Sequence, residues 1–292
     1  MRFVGDIHLG RQFRTGVPLD RRGEIEEKFW EAFTKVMQKP IQQKVVQLGD
    51  LFDAPVVDND VLWRAYDIIR YGANKNPDTT FYFIAGNHDL SKDEAEVPAI
   101  RILRELLRDC ENVFFVLDVP MQVGNCTLIP WSYTVPLGET LKDVNTSEVA
   151  GHFEEPIDPE LANSGLEVFS GHIHKGHTNG NVHFVGSILP IAFGEENDAS
   201  FMETVELDFL LAHKDRYHDK RIRVLLKEGD EMPTDIDCLQ LIAKKIESKE
   251  EDKATLEVSL EDFDFKELFM KELGPSGKAE ELWEMYRRLN NA

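Results

Sequence analysis

At 292 residues, 42% of them hydrophobic, the chain can hold one large core or a main domain with a smaller companion. Its 33 Lys and Arg against 54 Asp and Glu give a formal net charge of −21, which sits awkwardly with any nucleic-acid partner, since phosphate contacts want cations. Three widely spaced cysteines (Cys110, Cys126, Cys238) form no CxxC pair, which argues against a disulfide framework or zinc knuckle and fits a reducing cytoplasm.

The first strand, MRFVG, starts at about residue 2 and leaves no room for a signal peptide. No stretch approaches the roughly 18 apolar residues that would cross a bilayer, so a cytoplasmic protein with no membrane partner is expected. GEIEEKFWEAFTKVMQ follows as an amphipathic helix with Ile25, Phe29, Phe33 and Val36 on one face. KVVQLGD reads as a strand, VLWRAYDIIRYG as a helix, TTFYFIAG as a strand and VPAIRILRELLRD as a helix. NVFFVLD, MQVGNCTLIPW, LEVFSG and NVHFVGS are further strands. A βαβαβα opening and a strand-rich continuation point to an α/β layered domain with a mixed sheet, in the arrangement of two sheets between helical layers.

Near residue 200 the pattern changes. FMETVELDF, RIRVLLKEG and KATLEVSL read as strands and CLQLIAKKIESKE as a helix, which together suggest a smaller α+β domain. The turn-like IAFGEENDA at 191–199 marks the junction, and GPSG at 274–277 sets off a terminal helix, KAEELWEMYRRL. The expected division is therefore 1–200, 201–273 and 274–292. Two basic islands interrupt the acidic chain: RQFRTGVPLDRR at 11–22 and KDRYHDKRIRVLLK at 214–227. Solvated surface and polyanion contact remain equally open for both.

The strand ends carry the chemistry. The first closes on Gly5-Asp6-Ile7-His8, the second on Gly49-Asp50-Leu51-Phe52-Asp53, the third on Gly86-Asn87-His88-Asp89, and LEVFSG on Gly171-His172-Ile173-His174. One such turn is weak evidence. Four in succession at the carboxyl edge, where α/β sheets place their sites, form a strong signal for metal ligation. In DxH and HxH the two side chains lie on one side of an extended backbone and can face one ion. Imidazole with carboxylate and amide oxygen suits Mn, Fe or Zn better than calcium. The donors outnumber one tetrahedral shell, so two ions are expected, with a carboxylate such as Asp50 able to bridge them.

DIHLG, GDLFD, GNHD and GHIH in this order resemble the calcineurin-like metallophosphoesterase family. GDLFDAP, a Phe-containing basic loop after DIHLG, and VGSILPIAFGEEN after GHIH resemble its DNA-repair nuclease branch, which includes SbcD-like exonuclease subunits and phage recombination nucleases. Protein phosphatases of the superfamily would show GDxVDRG and GNHE, where this chain has Ala54-Pro55 and Asp89.

The resemblance implies a layered αββα core with a C-terminal capping domain. It implies one metal on Asp6, His8 and His174 and another on Asn87, His152 and His172, bridged by Asp50. His152 enters because the family has a lone ligand histidine upstream of GHxH. His88 would be the catalytic histidine and Asp53 the residue that orients it through a ring nitrogen. Two divalent ions, Mn2+ before Mg2+, Fe2+ or Zn2+, would activate a water and clamp the phosphate for in-line attack.

The same resemblance implies DNA as substrate, an SbcC-like coiled-coil ATPase as partner, and a homodimer. The short chain is closer to a phage version, which would act in the host cytoplasm. Arg11 and Arg14 of the basic loop are the expected contacts to the DNA backbone. A nucleotide or small-molecule phosphodiesterase on the same core is the alternative, and the net charge favours it. His177, past Gly176, is expected to turn away from the ions, and His183 to be an ordinary strand residue.

Overall fold

Short apolar strands with alternating faces set the layering. The computed structural model describes residues 1–93, 95–131, 146–157, 159–196 and 199–246. Strands β1 (Arg2–Val4), β2 (Lys44–Gln47), β3 (Thr80–Ile84) and β4 (Val113–Val116) pair in that order, all parallel. Parallel neighbours need crossovers, and helices α1 (Glu24–Gln38), α2 (Asn59–Lys75) and α3 (Ala99–Leu106) supply them. Successive strand residues point to opposite faces. Val45, Phe81 and Phe83 accordingly pack with Phe33, Ile69 and Ile100 of the helices. Val46, Tyr82 and Ile84 pack with Cys126, Leu128 and Ala150 of a second sheet.

That second sheet contains β5 (Met121–Val123), β6 (Cys126–Ile129), β7 (Glu148–Gly151), β8 (Glu167–Ser170), β9 (His177–Asn179) and β10 (Val182–Phe184) in the order β5-β6-β7-β8-β10-β9. Its inner pairs are parallel and its two outer pairs antiparallel. Its far face, with Ile129, Val149, Val168 and Phe184, is covered by Leu161 of α4 (Pro159–Ala162). The result is an αββα core.

A third, all-parallel sheet follows: β11 (Met202–Glu206), β12 (Arg221–Leu226) and β13 (Gln240–Lys245), with α5 (Leu207–Ala212) after its first strand. It has its own apolar cluster around Val205, Leu210, Tyr217 and Val224. A further cluster of Phe13, Val17, Ile25, Phe29, Ile191 and Leu239 seats it against α1 and the 11–17 loop. Residues 1–246 form one unit. Among the described residues, no helix is long and apolar enough to cross a membrane.

Several elements differ from the sequence reading. Residues expected to begin a helix at Cys238 form β13, because pairing along the whole of β12 outweighs the weak helical preference of a short Leu-Ile-Ala-Lys run. MQVGNCTLIPW is a hairpin, turned at Gly124 (φ +68°) and Asn125. FMETVELDF gives way to α5 after Glu206, and β7 and β9 had no counterpart in the reading. The expected strand KATLEVSL and the terminal helix at 274–292 lie outside the described residues.

Candidate metal centre

The strand ends bring Asp6, His8, Asp50, Asn87, His88, His172 and His174 to one edge of the two facing sheets. His152 joins them directly after β7, behind Gly151, so it too is delivered by a strand. The preceding glycines are required by close approach. A Cβ on Gly171 would lie 2.6 Å from Asp6 Oδ1 and 2.9 Å from His152 Nδ1, and a Cβ on Gly86 would collide with Asp50. Three of the polar residues carry left-handed backbone, His8 (φ 52°), Asp50 (φ 54°) and His172 (φ 71°). Such conformations cost about 1–3 kcal/mol each and cluster where function demands a geometry that the chain would not choose.

Two groups of ligand atoms result. In the first, His8 Nε2 and His174 Nε2 are 3.1 Å apart, and Asp6 Oδ2 lies 3.4 Å from the latter. In the second, His152 Nε2 lies 2.8 Å from Asn87 Oδ1 and 3.2 Å from His172 Nδ1, which is itself 3.2 Å from Asn87 Oδ1. Asp50 Oδ2 stands between the groups, 3.6 Å from His8 Nε2 and 3.4 Å from His152 Nε2.

These donors fit divalent cations. Asp6 Oδ2 is buried and, among the described residues, accepts no hydrogen bond, an orphan that costs free energy unless a cation meets it. His8 Nε2 converges on His174 Nε2, and His152 Nε2 on His172 Nδ1, an arrangement suited to shared ions. Among the described residues, the ion-pair partners of the buried Asp6 and Asp50 carboxylates are histidines, with no lysine or arginine beside them. Burial pushes the Asp6 carboxyl up. Burial alone would favour a neutral His152 ring, but the Asp6 and Asp50 carboxylates outweigh it and raise its pKa to about 9. Burial likewise opposes ionised Asp50, yet His152 and His8 hold its pKa down to about 2. The centre calls for positive charge.

Around the centre, the expected contact of Asp53 with a ring nitrogen of His88 runs through the main chain. His88 Nδ1 lies 2.7 Å from the main-chain oxygen of Asp53, not from its carboxylate. The Asp53 carboxylate instead holds His8 Nδ1 (3.1 Å) and accepts from Arg11 Nη1 (2.9 Å). The reason is geometric: the turn after β2 points the Asp53 carbonyl at His88 and its side chain at the DxH turn. Asp53 thus orients His8.

Three supporting residues were given no role from the sequence. Buried Asp89 accepts from the backbone of Leu51, Phe52 and Gly86, riveting together the turns that carry Asp50 and Asn87. Burial and then the Asp50 charge push its carboxyl up to about 7. Glu195 Oε1 lies 3.1 Å from His174 Nδ1, while its Oε2 accepts from the amides of Ile191 and Ala192. Trp131 stacks on His172 with centroids 5.7 Å apart. A carboxylate on the far nitrogen of a ligand histidine fixes tautomer and orientation. Motif spacing carries no trace of a partner that arrives through space, although FGEEN, which holds Glu195, was visible.

Arg11 and Arg14 line a cavity of about 270 Å³ that opens beside His8 and is also walled by Arg22, Phe13 and Trp30. Elsewhere in the basic islands exposure is mixed: Arg216 and Lys227 are exposed, whereas two arginines are internal. Arg21 is buried against Glu24 and Asp237, and Arg221 is buried in the small sheet. His177 lies on β9, stacked on Phe184, and His183 on β10 beside Glu167.

The family model described as calcineurin-like phosphoesterase matches residues 2–217. Among curated proteins, "Exonuclease subunit 1" of Enterobacteria phage T4 is 30% identical over 173 residues, covering 52% of this chain and 50% of that protein. The chain therefore spans about half the length of the curated relative it matches.

Proposed function

The chain belongs to the calcineurin-like phosphoesterase family, and on that premise we propose that it is a two-metal DNA nuclease subunit. The observation that carries the reading is Asp50 Oδ2 standing between two clusters of imidazole nitrogens, 3.6 Å and 3.4 Å away. Asp6, His8 and His174 would hold one divalent ion and Asn87, His152 and His172 the other, with the Asp50 carboxylate within reach of both. Mn2+ suits this mixed N and O donor set. When bound, such a pair supplies Lewis acidity to the phosphate and a water acidic enough to attack at neutral pH.

The protein's own residues do the rest. With Nδ1 held by the Asp53 carbonyl, His88 presents Nε2 to the scissile phosphate, where it stabilises developing charge or protonates the leaving oxygen. Asp53 keeps His8 in one ring orientation and is itself neutralised by Arg11. Arg11 and Arg14 in the cavity beside His8 receive the neighbouring phosphates of a DNA strand.

The T4 relative is named as an exonuclease subunit, which supports work in an assembly, here with an SbcC-like ATPase and as a homodimer in DNA recombination or repair. The net charge of −21 supports a second reading, a nucleotide or small-molecule phosphodiesterase. An assay with Mn2+ on single- and double-stranded DNA, beside cyclic and dinucleotide substrates, separates the two. Degradation of DNA that disappears in His88→Ala and Asp50→Ala supports the nuclease. Turnover of the small substrates with none of DNA sinks it.

A further inference from the structure

The small sheet is wired into the metal centre through one buried side chain. Arg221, at the start of the sheet's central strand, is 3% exposed. Its Nη1 donates to the Pro190 carbonyl and its Nη2 to the Ile191 carbonyl, both at 2.9 Å, and its Nε donates to Gln240 Oε1 at 2.8 Å. The next residue along the segment that it grips, Ala192, and Ile191 itself donate their amides to Glu195, whose other carboxylate oxygen meets His174. Gln240 Nε2 in turn donates to Thr15 O, and the Leu241 amide to Gly16 O, which fastens the arginine-bearing loop to the same strand pair. Arg223, two residues on, donates to the Phe193 carbonyl at 3.3 Å.

A guanidinium buried against neutral oxygens is expensive, and an aliphatic side chain would fill the space at lower cost. What the aliphatic residue lacks is a rigid fork of donors able to hold three acceptors at once. Burial pulls the Arg221 pKa down to about 10, with the Glu195 carboxylate the main opposing influence, so the group stays protonated at neutral pH.

We propose that Arg221 is a positioning residue for the metal centre: it fixes segment 190–195, and through Glu195 it sets the ring of His174. This rests on the reading that Asp6, His8 and His174 hold an ion. The small sheet is then a structural part of the centre, and the loop of Arg11 and Arg14 is registered to the ligands by the same contacts.

The test is Mn2+ binding to the full chain, followed by calorimetry and by the EPR signal of the spin-coupled ion pair. Wild type should bind two ions. Arg221→Met should weaken one of them by about 10–100-fold, the range for loss of a partner behind a ligand, with Arg221→Lys in between and the second ion within about twofold. The coupled-pair signal should give way to that of a single ion. Combining Arg221→Lys with Glu195→Gln should weaken binding no further than Glu195→Gln alone, since both act on His174. Unchanged affinities in an Arg221 variant with wild-type circular dichroism, or additive losses in the double variant, would overturn the proposal while leaving the metal reading intact. If no Arg221 variant folds, Gln240→Leu, which frees the guanidinium to turn, should weaken the same ion at least threefold, and unchanged binding there overturns it. A wild type that binds no Mn2+ overturns both.

Discussion

Arg11 Nη1 donates to Asp53 Oδ1 at 2.9 Å, and the same oxygen lies 3.1 Å from His8 Nδ1. One carboxylate therefore joins the basic loop to a candidate metal ligand. His88 depends on Asp53 only for a backbone carbonyl, which any residue would supply.

Asp53→Ala should therefore behave as a metal-binding defect. Mn2+ affinity should fall about 10–100-fold, and kcat at saturating Mn2+ should recover most of its wild-type value. A fall in kcat with unaltered Mn2+ affinity would instead assign the carboxylate to His88.

His88→Ala should do the opposite. Neither ligand cluster includes the His88 ring, so calorimetry should find both ions bound as in wild type. Loss of a positioned acid or charge stabiliser should lower kcat by about 10²–10⁴-fold. Loss of an ion in this variant would show that His88 is itself a ligand.

Gly171→Ala tests the close approach. The new methyl would sit 2.6 Å from both Asp6 Oδ1 and the Leu48 carbonyl, neither of which can retreat from a buried position. Overpacking of this kind costs about 1–3 kcal/mol, and Mn2+ binding should fall with thermal stability. A variant with wild-type melting and wild-type affinity would show that the strand ends have more room than they display.

Arg14 contacts only Gln12 among its described hydrogen bonds, which makes it a cleaner probe of DNA than Arg11. Arg14→Ala should weaken binding evenly across DNA sequences and reduce the slope of log affinity against log salt by about one. An unchanged slope would remove Arg14 from the DNA path.

Much of the centre was legible because its signal is local: an apolar strand, a glycine, then a ligand. Gly5-Asp6, Gly49-Asp50, Gly86-Asn87 and Gly171-His172 all obey it. Gly151-His152 obeys it too, yet β7 was hidden, since Glu148–Gly151 is only four residues long and holds just one branched apolar residue, Val149, and a small Ala150 beside its glycine. The orientation of Asp53 was illegible because it depends on which way a turn aims its carbonyl, and spacing does not encode that. Arg221 looked like part of a basic island facing either solvent or a polyanion, since charge in a sequence carries no record of burial. β13 was misread because its partner, β12, lies beyond the reach of local periodicity.

The central claim is a dinuclear centre with Asp50 between the ions. Crystals grown with Mn2+, with anomalous diffraction recorded at the manganese edge, test it most directly. The account predicts two anomalous peaks, one ringed by Asp6, His8 and His174, the other by Asn87, His152 and His172, with Asp50 touching both. A single peak, or peaks away from these side chains, would contradict it.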